Sequence, residues 1–465
     1  MMLTRYHLAI NNFNNSGKIL LRSTISGIAM LLEPRIYEQL KLGGPFPLPG
    51  GLDAGIVNLL KKHFIVNNPV TDTQQVLAKI SRKVEQEELV AVTLMTTGNC
   101  NMNCRYCFQN NLITRRGDFP DELISPFVEW IIHDIITPKT RRFMMHFYGG
   151  EPLQNMPVIE KIVRSLRPIL FKRKIIWDMS LTTNGSLLTK EIANKLAQMG
   201  CNLAIISLDG TRETHNYRRP LKHNPGFSFE KVLEGINNGL RCFPVMVRTN
   251  IDKQNVNDIS LMIDKIVRNY AATPHFFFNI EVVGPVMYPQ AHHQEALMNQ
   301  QEAGDAVKKL LHIQAQRGIK IFGNMPSEVS CEHIMKNAYT VDHDGKIFPC
   351  PGFVGFPDFE LGDVQKGIKA GFFNSLYAHR PWENSRCLKC TYLPQCHGGC
   401  RSCAVIMQKK AALANYNSTY CRKEFFDITF PTFLESLYKD THAGINSSKQ
   451  KTANKKQQTK RRITL

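Results

Sequence analysis

No stretch of this 465-residue chain approaches the run of about 18 apolar residues that a membrane-spanning helix needs. The opening MMLTRYHLAINNFNN has no apolar core of the secretory-signal kind, so a cytoplasmic location and no membrane partner are expected. Acidic residues are the minority charge, 39 against 58 Lys and Arg, and residues 441–465 contain none. That segment carries Lys449, Lys451, Lys455, Lys456, Lys460, Arg461 and Arg462 among Gln, Asn, Ser and Thr, the composition of a disordered basic tail. It reads as a solubilising extension; a basic run also concentrates anions non-specifically, but alone it does not make a nucleic-acid-binding protein. A hydrophobic fraction of 43% excludes global disorder. The length suggests about two to four domains.

The even cysteine count of a disulfide framework is also missing. Thirteen cysteines stand at 100, 104, 107, 201, 242, 331, 350, 387, 390, 396, 400, 403 and 421. An odd number without a secretion signal points to metal binding in a reducing compartment. Cys201 and Cys242 lie alone in apolar, strand-like stretches and are expected in the core. The others form two groups, one near position 100 and one from 331 to 421.

Between about 90 and 320 the pattern alternates regularly. Strand-like LVAVTLMTT, RFMMHFYGG, KIIWDMSLTTNG, CNLAIISLDG, PVMVRTNI and HFFFNIEVVG are each followed by a helical pattern, the last being QEALMNQQEAGDAVKKLLHIQAQ. Strand–helix repeats imply parallel strands with right-handed crossovers, and near-continuous apolar strands suit a sheet covered by helices. A partial barrel or a doubly wound sheet would each fit. In a barrel, chemistry gathers at the C-terminal ends of the strands, where Cys100, Gly149, Asn184 and Asp209 fall. Residues 1–88 read as an α+β unit with a helical connector, in which GKILLRSTISGIAMLLEPRIYEQL runs strand, turn, helix. Residues 89–325 hold the alternating region. Residues 326–440 are loop-rich and cysteine-rich with a closing helix; their weak apolar periodicity suggests that bound metal holds them together.

The first group is Cys100-Asn-Met-Asn-Cys104-Arg-Tyr-Cys107. Three thiolates on a tight loop can hold three irons of a [4Fe–4S] cluster and leave the fourth open to a chelating ligand. A zinc loop is the alternative, although zinc usually takes four ligands in C-x2-4-C pairs. The run resembles the CxxxCxΦC motif of the radical S-adenosylmethionine superfamily, and further landmarks follow in order: Tyr148-Gly149-Gly150-Glu151-Pro152, Leu181-Thr182-Thr183-Asn184-Gly185, Ser207-Leu208-Asp209-Gly210 and His215-Asn216-Tyr217-Arg218-Arg219. The resemblance covers roughly residues 90–320. It implies a partial (β/α)6 barrel in which Cys100, Cys104 and Cys107 bind the cluster and Tyr106 packs on adenine. Gly149, Gly150 and Glu151 would receive the methionine ammonium, Ser207 and Asp209 would bond ribose or carboxylate, and Arg219 would bind the methionine carboxylate. Glycine suits positions where backbone must approach a ligand closely.

The second group runs Cys331-x13-Gly345-x4-Cys350, then Cys387-x2-Cys390-x5-Cys396-x3-Cys400, then Cys421. This resembles the seven-cysteine SPASM domain, which carries auxiliary [4Fe–4S] clusters. By that resemblance Cys387, Cys390, Cys396 and Cys421 ligate an outer cluster, and Cys331, Cys350 and Cys400 an inner one. Fully ligated members have one more cysteine shortly before the position of Cys331, and none stands there. The inner cluster would then have an open iron or borrow Cys403, His333 or His343, and Cys403 could equally be a buried thiol.

The resemblance implies S-adenosylmethionine, one radical-forming and two auxiliary clusters, and a flavodoxin- or ferredoxin-type electron donor. The 5′-deoxyadenosyl radical would remove a hydrogen from an unactivated C–H bond. Peptide maturases, sulfatase activators and small-molecule enzymes share these motifs. In sulfatase activators an Asp after the Gly-x4-Cys cysteine resembles a general base, and here Pro351 stands there. The N-terminal unit resembles the accessory segments of maturases of ribosomally made peptides. A cross-linking maturase acting on a precursor peptide is the leading expectation, with cyclophane- and darobactin-type enzymes the nearest comparison. A sulfatase activator, a protein that binds the cofactor without cleaving it, and a zinc-stabilised nucleic-acid-binding protein are the alternatives.

Overall fold

The computed structural model describes residues 2–43, 52–66, 68–107, 109, 117–284, 295–319, 335–371, 380–406 and 420–438. Its first strands are β1 (Met2–Leu3), β2 (His7–Ile10), β3 (Ile19–Ser23), β4 (Ala29–Leu32) and β5 (Ile65–Val66). β2, β3 and β4 form an antiparallel sheet, and β1 pairs with β5. The stretch AMLL is a strand rather than the start of a helix. Its burial alternates with period two, and the helix Pro34–Leu42 begins only where proline supplies the first-turn geometry. Helices Ala54–His63 and Pro69–Val84 follow.

Six strands then pair in parallel and in unbroken sequence order: β6 (Leu89–Met95), β7 (Arg142–Tyr148), β8 (Ile176–Thr183), β9 (Cys201–Ser207), β10 (Val245–Ile251) and β11 (Phe276–Val282). A doubly wound sheet reverses its strand order, and this one does not. The architecture is therefore the partial (β/α)6 barrel. Near-continuous burial along β6 and β10 marks strands covered on both faces. The crossover helix Met156–Lys172 shows why the sequence folds so, since Val158, Ile159, Ile162, Val163, Leu166 and Leu170 recur at helical spacing and are all buried. The last barrel helix starts at Gln300, behind a capping box made by Asn299 and Glu302, six residues later than its apolar pattern suggests.

The barrel does not close on itself. The free edge of β6 is taken by β12 (Ala338–Val341), running parallel, and the sheet continues antiparallel through β13 (Lys346–Phe348), β14 (Gly362–Asp363) and β15 (Gly367–Ile368). The cysteine-rich region has more apolar packing than its weak periodicity suggests. Val341, Ile347, Phe348, Phe353, Phe359 and Leu361 share one hydrophobic core with the barrel. The closing helix Lys423–Tyr438 lies against Gln300–Gln316, so closely that a Cβ on Gly304 would stand 2.7 Å from Ile428 Cδ1. Cys201 is buried in that core, whereas Cys242 lies at its margin, just past the helix Ser228–Leu240, with its thiol donating to Asn194 Oδ1 at 3.3 Å. Among the described residues no helix is long and apolar enough to cross a membrane. Cys331, His333 and the basic tail lie outside the described residues.

Candidate active site

β6 ends at Met95, and the chain turns into the cysteine loop, which is stitched to its neighbours by main chain. Gly150 N donates to Thr97 O at 2.8 Å and Glu151 N to Asn99 O at 2.8 Å. On the other flank Asn103 N donates to Pro220 O (2.9 Å), Arg105 N to Arg218 O (3.0 Å) and Lys222 N to Asn101 O (2.9 Å). The Arg105 guanidinium also lies 3.8 Å from the Tyr217 ring centroid. The loop is thus held between the Gly-Gly turn after β7 and the segment 217–222.

The glycines are needed for that contact. A Cβ on Gly150 would come 2.0 Å from Asn99 O, and one on Gly149, whose φ is 137°, 2.4 Å from Thr97 O. The cysteine loop itself approaches these glycines closely, and both also line the cleft beside it.

Cys100, Cys104, Tyr106, Cys107, Gly149, Gly150, Ser207 and Arg219 line one cleft, together with Thr182, Thr183 and Asn184 at the end of β8. The cleft also takes Gln109, Tyr148, Arg248 and Asn250, which the sequence reading missed. The available signal was Arg248-Thr249-Asn250, three polar residues interrupting an apolar strand near its C-terminal end.

Glu151 and Asp209 do not line the cleft; they stand behind it. Glu151 accepts from Thr183 Oγ1 (2.6 Å), Asn184 N (2.7 Å) and Leu153 N (3.1 Å), so its carboxylate ties the ends of β7 and β8 together. Burial pushes its pKa up, against these three hydrogen bonds. Asp209 accepts from Asn250 N at 2.9 Å and from the Tyr106 hydroxyl, and pairs with Arg219 at 3.5 Å. Burial opposes its ionisation, but Arg219, Arg218 and the Tyr106 hydrogen bond together hold its carboxyl below the usual range. Tyr106 is buried with its hydroxyl engaged by Asp209, Arg219 and Asn250, and its ring lies 5.0 Å from the Arg218 guanidinium.

The residues present fit an iron–sulfur cluster and a carboxylate-bearing cofactor. Three thiols with no disulfide partner lie in the cleft wall. Burial pushes Cys104 up to about 12 and Cys100 up to about 11, so both are protonated until a metal displaces the proton. Arg219 and Arg248 line the same cleft, each with a buried Nε that has no hydrogen-bond partner, and no described lining residue is Asp or Glu. Two cations and no carboxylate suit an anionic group. Among the described residues no three His, Cys, Asp or Glu converge tightly enough for a single metal ion.

In the second cysteine group, Cys387, Cys390, Cys396 and Cys421 lie close enough to act on one another electrostatically, and burial pushes Cys396 up to about 12. Gly399 seats the last of them, because a Cβ there would stand 2.0 Å from Tyr420 O. Cys400 and Cys350 instead act electrostatically on Cys403. The N-terminal unit grips the outer hairpin: Tyr6 Oη donates to Leu388 O (2.9 Å), Thr24 Oγ1 to Thr391 O (2.7 Å), and Thr391 Oγ1 contacts both Arg5 O (2.8 Å) and His7 O (2.7 Å).

Residues 94–266 match the family model of the Radical SAM superfamily. Among curated proteins, the chain is 24% identical over 388 residues to the radical SAM cyclopropyl synthase TigE of Paramaledivibacter caminithermalis, covering 74% of this chain and 76% of that one. It is 24% identical over 367 residues to a cysteine-type anaerobic sulfatase-maturating enzyme of Clostridium perfringens, covering 73% and 95%. Among solved structures, native anSMEcpe with bound AdoMet superposes with a TM-score of 0.59 at 21% identity, over 75% of this chain and 99% of that chain. Streptococcus suis SuiB bound to S-adenosylmethionine gives 0.50 at 14%, over 88% and 98%. At these identities the two structures establish the shared fold.

Proposed function

We propose that this chain, a radical S-adenosylmethionine enzyme by the domain that residues 94–266 form, modifies side chains of a peptide substrate, joining two of them by a new C–C or ether bond. The observation that carries the reading is the cleft at the C-terminal rim of the barrel, where the thiols of Cys100, Cys104 and Cys107 share one wall system with Arg219 and Arg248. The cluster and S-adenosylmethionine, when bound and reduced by one electron, supply the species that abstracts hydrogen from carbon.

The chain's own residues do the positioning. Cys100, Cys104 and Cys107 would hold the cluster, and Arg219 and Arg248 would take the cofactor carboxylate. Ser207 and Asn250 would offer hydrogen bonds across the cleft, and Tyr106, locked by Asp209 and Arg219, would give a rigid face. Removing one hydrogen atom from carbon and closing a bond to a second C–H or O–H group releases one proton and one electron. The auxiliary clusters held by the second cysteine group would accept that electron. A small diffusible reductant, of flavodoxin or ferredoxin type, would supply the electron that starts the cycle.

The peptide substrate is supported by the relatives, which include a cyclopropyl synthase and sulfatase-maturating enzymes, and by the solved anSMEcpe complex with a bound peptide. A second reading, oxidation of a sulfatase side chain to an aldehyde, is favoured by the sulfatase-maturating relatives themselves. Pro351 stands where the resemblance implies an Asp base, which inclines the proposal toward cross-linking.

Anaerobically reconstituted protein is expected to make 5′-deoxyadenosine on reduction, and the Cys100→Ala, Cys104→Ala, Cys107→Ala variant to make none. Co-expression with a peptide encoded beside the gene should yield a product short of two hydrogens per site that resists fragmentation between the joined residues. A product that instead reacts with a hydrazine probe reports the aldehyde and refutes the cross-link, and an unchanged mass refutes both.

A further inference from the structure

Cys403 is the cysteine of the second group to which neither the spacing nor the family resemblance gives a task. It follows Cys400 by three residues, in the helix Arg401–Ile406, whose first turn Cys400 opens by accepting from Ala404 N at 3.0 Å. Residues three apart at a helix start share a face, and the Cys403 thiol is hydrogen-bonded to Cys400 Sγ. Cys350 comes in from a separate segment and is close enough to act on Cys403 electrostatically. Gly352 permits that approach: a Cβ there would come 2.5 Å from Ser402 Oγ and 3.7 Å from Cys350 Sγ. Ser402 Oγ in turn lies 3.2 Å from Cys400 Sγ. Three thiols from two segments therefore share one neighbourhood, although among the described residues they do not form a site for a single metal ion.

His343, the other described candidate for an extra ligand, lies elsewhere. Its ring packs against the first cysteine loop, 3.1 Å from the position of a Cβ on Gly98 and 3.7 Å from one on Gly117. Cys403 also looks toward the barrel rim, since its Sγ is 3.7 Å from where a Cβ on Gly284 would sit, two residues beyond the end of β11.

We propose that Cys403 is an iron ligand of the inner auxiliary cluster, together with Cys350 and Cys400, on the side of that cluster facing the barrel rim. A thiolate there closes to substrate the corner nearest the reaction cleft. A cluster so held would supply electron transfer without an open iron for the substrate. The assignment rests on the reading of this chain as a radical enzyme with auxiliary clusters. That reading fails if the reduced protein with all its cysteines makes no 5′-deoxyadenosine; the ligand assignment fails on iron content and spectra measured with the radical-forming cluster removed.

The experiment uses the full chain carrying Cys100→Ala, Cys104→Ala and Cys107→Ala, reconstituted anaerobically with ferrous iron and sulfide. Iron per chain and the electron paramagnetic resonance of the dithionite-reduced sample are compared after adding Cys403→Ala, Cys403→Ser or His343→Gln. Cys403→Ala is expected to lose iron, by up to one cluster or about four atoms, or to alter the signal of one reduced cluster. Cys403→Ser, which offers oxygen in place of sulfur, is expected to keep more iron and shift the same signal. His343→Gln should match the parent. The assignment is overturned if both Cys403 variants keep the parent's iron content and signal, or if His343→Gln moves the signal and Cys403→Ser does not. Because the serine variant preserves size and polarity, it decides the matter even if the alanine variant does not fold.

Discussion

A methyl group on Gly150 would stand 2.0 Å from a main-chain carbonyl oxygen of the cysteine loop, a contact that no flexible side chain can relieve. Gly150→Ala is therefore expected to push the loop away from the Gly-Gly turn, at about 1–3 kcal/mol. The larger effect falls on the cleft: iron bound by the first cysteine group and 5′-deoxyadenosine formation should both drop, while iron bound by the second group is retained. At the cleft wall, Arg219 and Tyr106 form a buried set with Asp209 behind them. Asp209→Asn leaves the Arg219 cation without its partner, and urea denaturation should show a loss of about 3–5 kcal/mol. Tyr106→Phe removes a hydroxyl but no charge and should lose about 1–3 kcal/mol. At this scale the sequence showed which residue types would meet, through the order of the motifs. It did not show that Glu151 and Asp209 would be consumed by internal hydrogen bonds, because the direction of a carboxylate depends on donors brought in by neighbouring strands.

Between elements, the telling contact is the one from the N-terminal sheet to the outer cysteine hairpin. Thr391 Oγ1 reaches both Arg5 O and His7 O, and Tyr6 Oη reaches Leu388 O across more than 380 positions of sequence. Tyr6, Val76, Ile80, Ala91, Ala338 and Leu393 join the N-terminal unit, the barrel sheet and the cysteine segment in one small apolar core. Thr391→Val keeps the shape and removes the one hydroxyl hydrogen shared between the Arg5 and His7 carbonyls. A loss of about 1–3 kcal/mol is expected, read as faster hydrogen exchange in residues 5–8 and 388–392 with the barrel helices unaffected. Unchanged exchange there would mean that the grip is incidental. The strands and helices of the barrel were legible because their apolar periods differ. The helix Gln300–Gln316 starts late because its capping box, a local hydrogen-bond pattern, overrides the apolar run before it.

For the whole molecule, acid sensitivity follows from three desolvated histidines, two of them, His215 and His397, buried and the third, His146, half-buried. Burial lowers His146 to about 4 and His215 and His397 to about 3; Arg248 adds to the first, Arg219 to the second and Lys83 to the third. Between these values and the ordinary 6.5 the unfolded chain binds protons that the folded chain refuses, so folding stability must fall as pH falls through that window. Each histidine contributes up to about 1.4 kcal/mol per pH unit. Glu151 and Asp342, both raised by burial, work in the opposite sense nearer the carboxylate range. Protein without iron should show a melting temperature that declines steadily from about pH 6.5 toward 4; a flat profile there would contradict the burial of these rings.

The sequence by itself determined the alternating strands and helices, the two cysteine groups and the order of the motifs along the rim, since these depend on local period and spacing. The tertiary structure alone decided that β12 would extend the barrel sheet at β6, that Arg248 and Asn250 would enter the cleft, and that the His343 ring would pack against the first cysteine loop while Cys403 lies beside Cys400. Those outcomes depend on which strand edge is left unpaired and on how closely glycines let distant backbones approach. Neither quantity has a period that a one-dimensional pattern can carry.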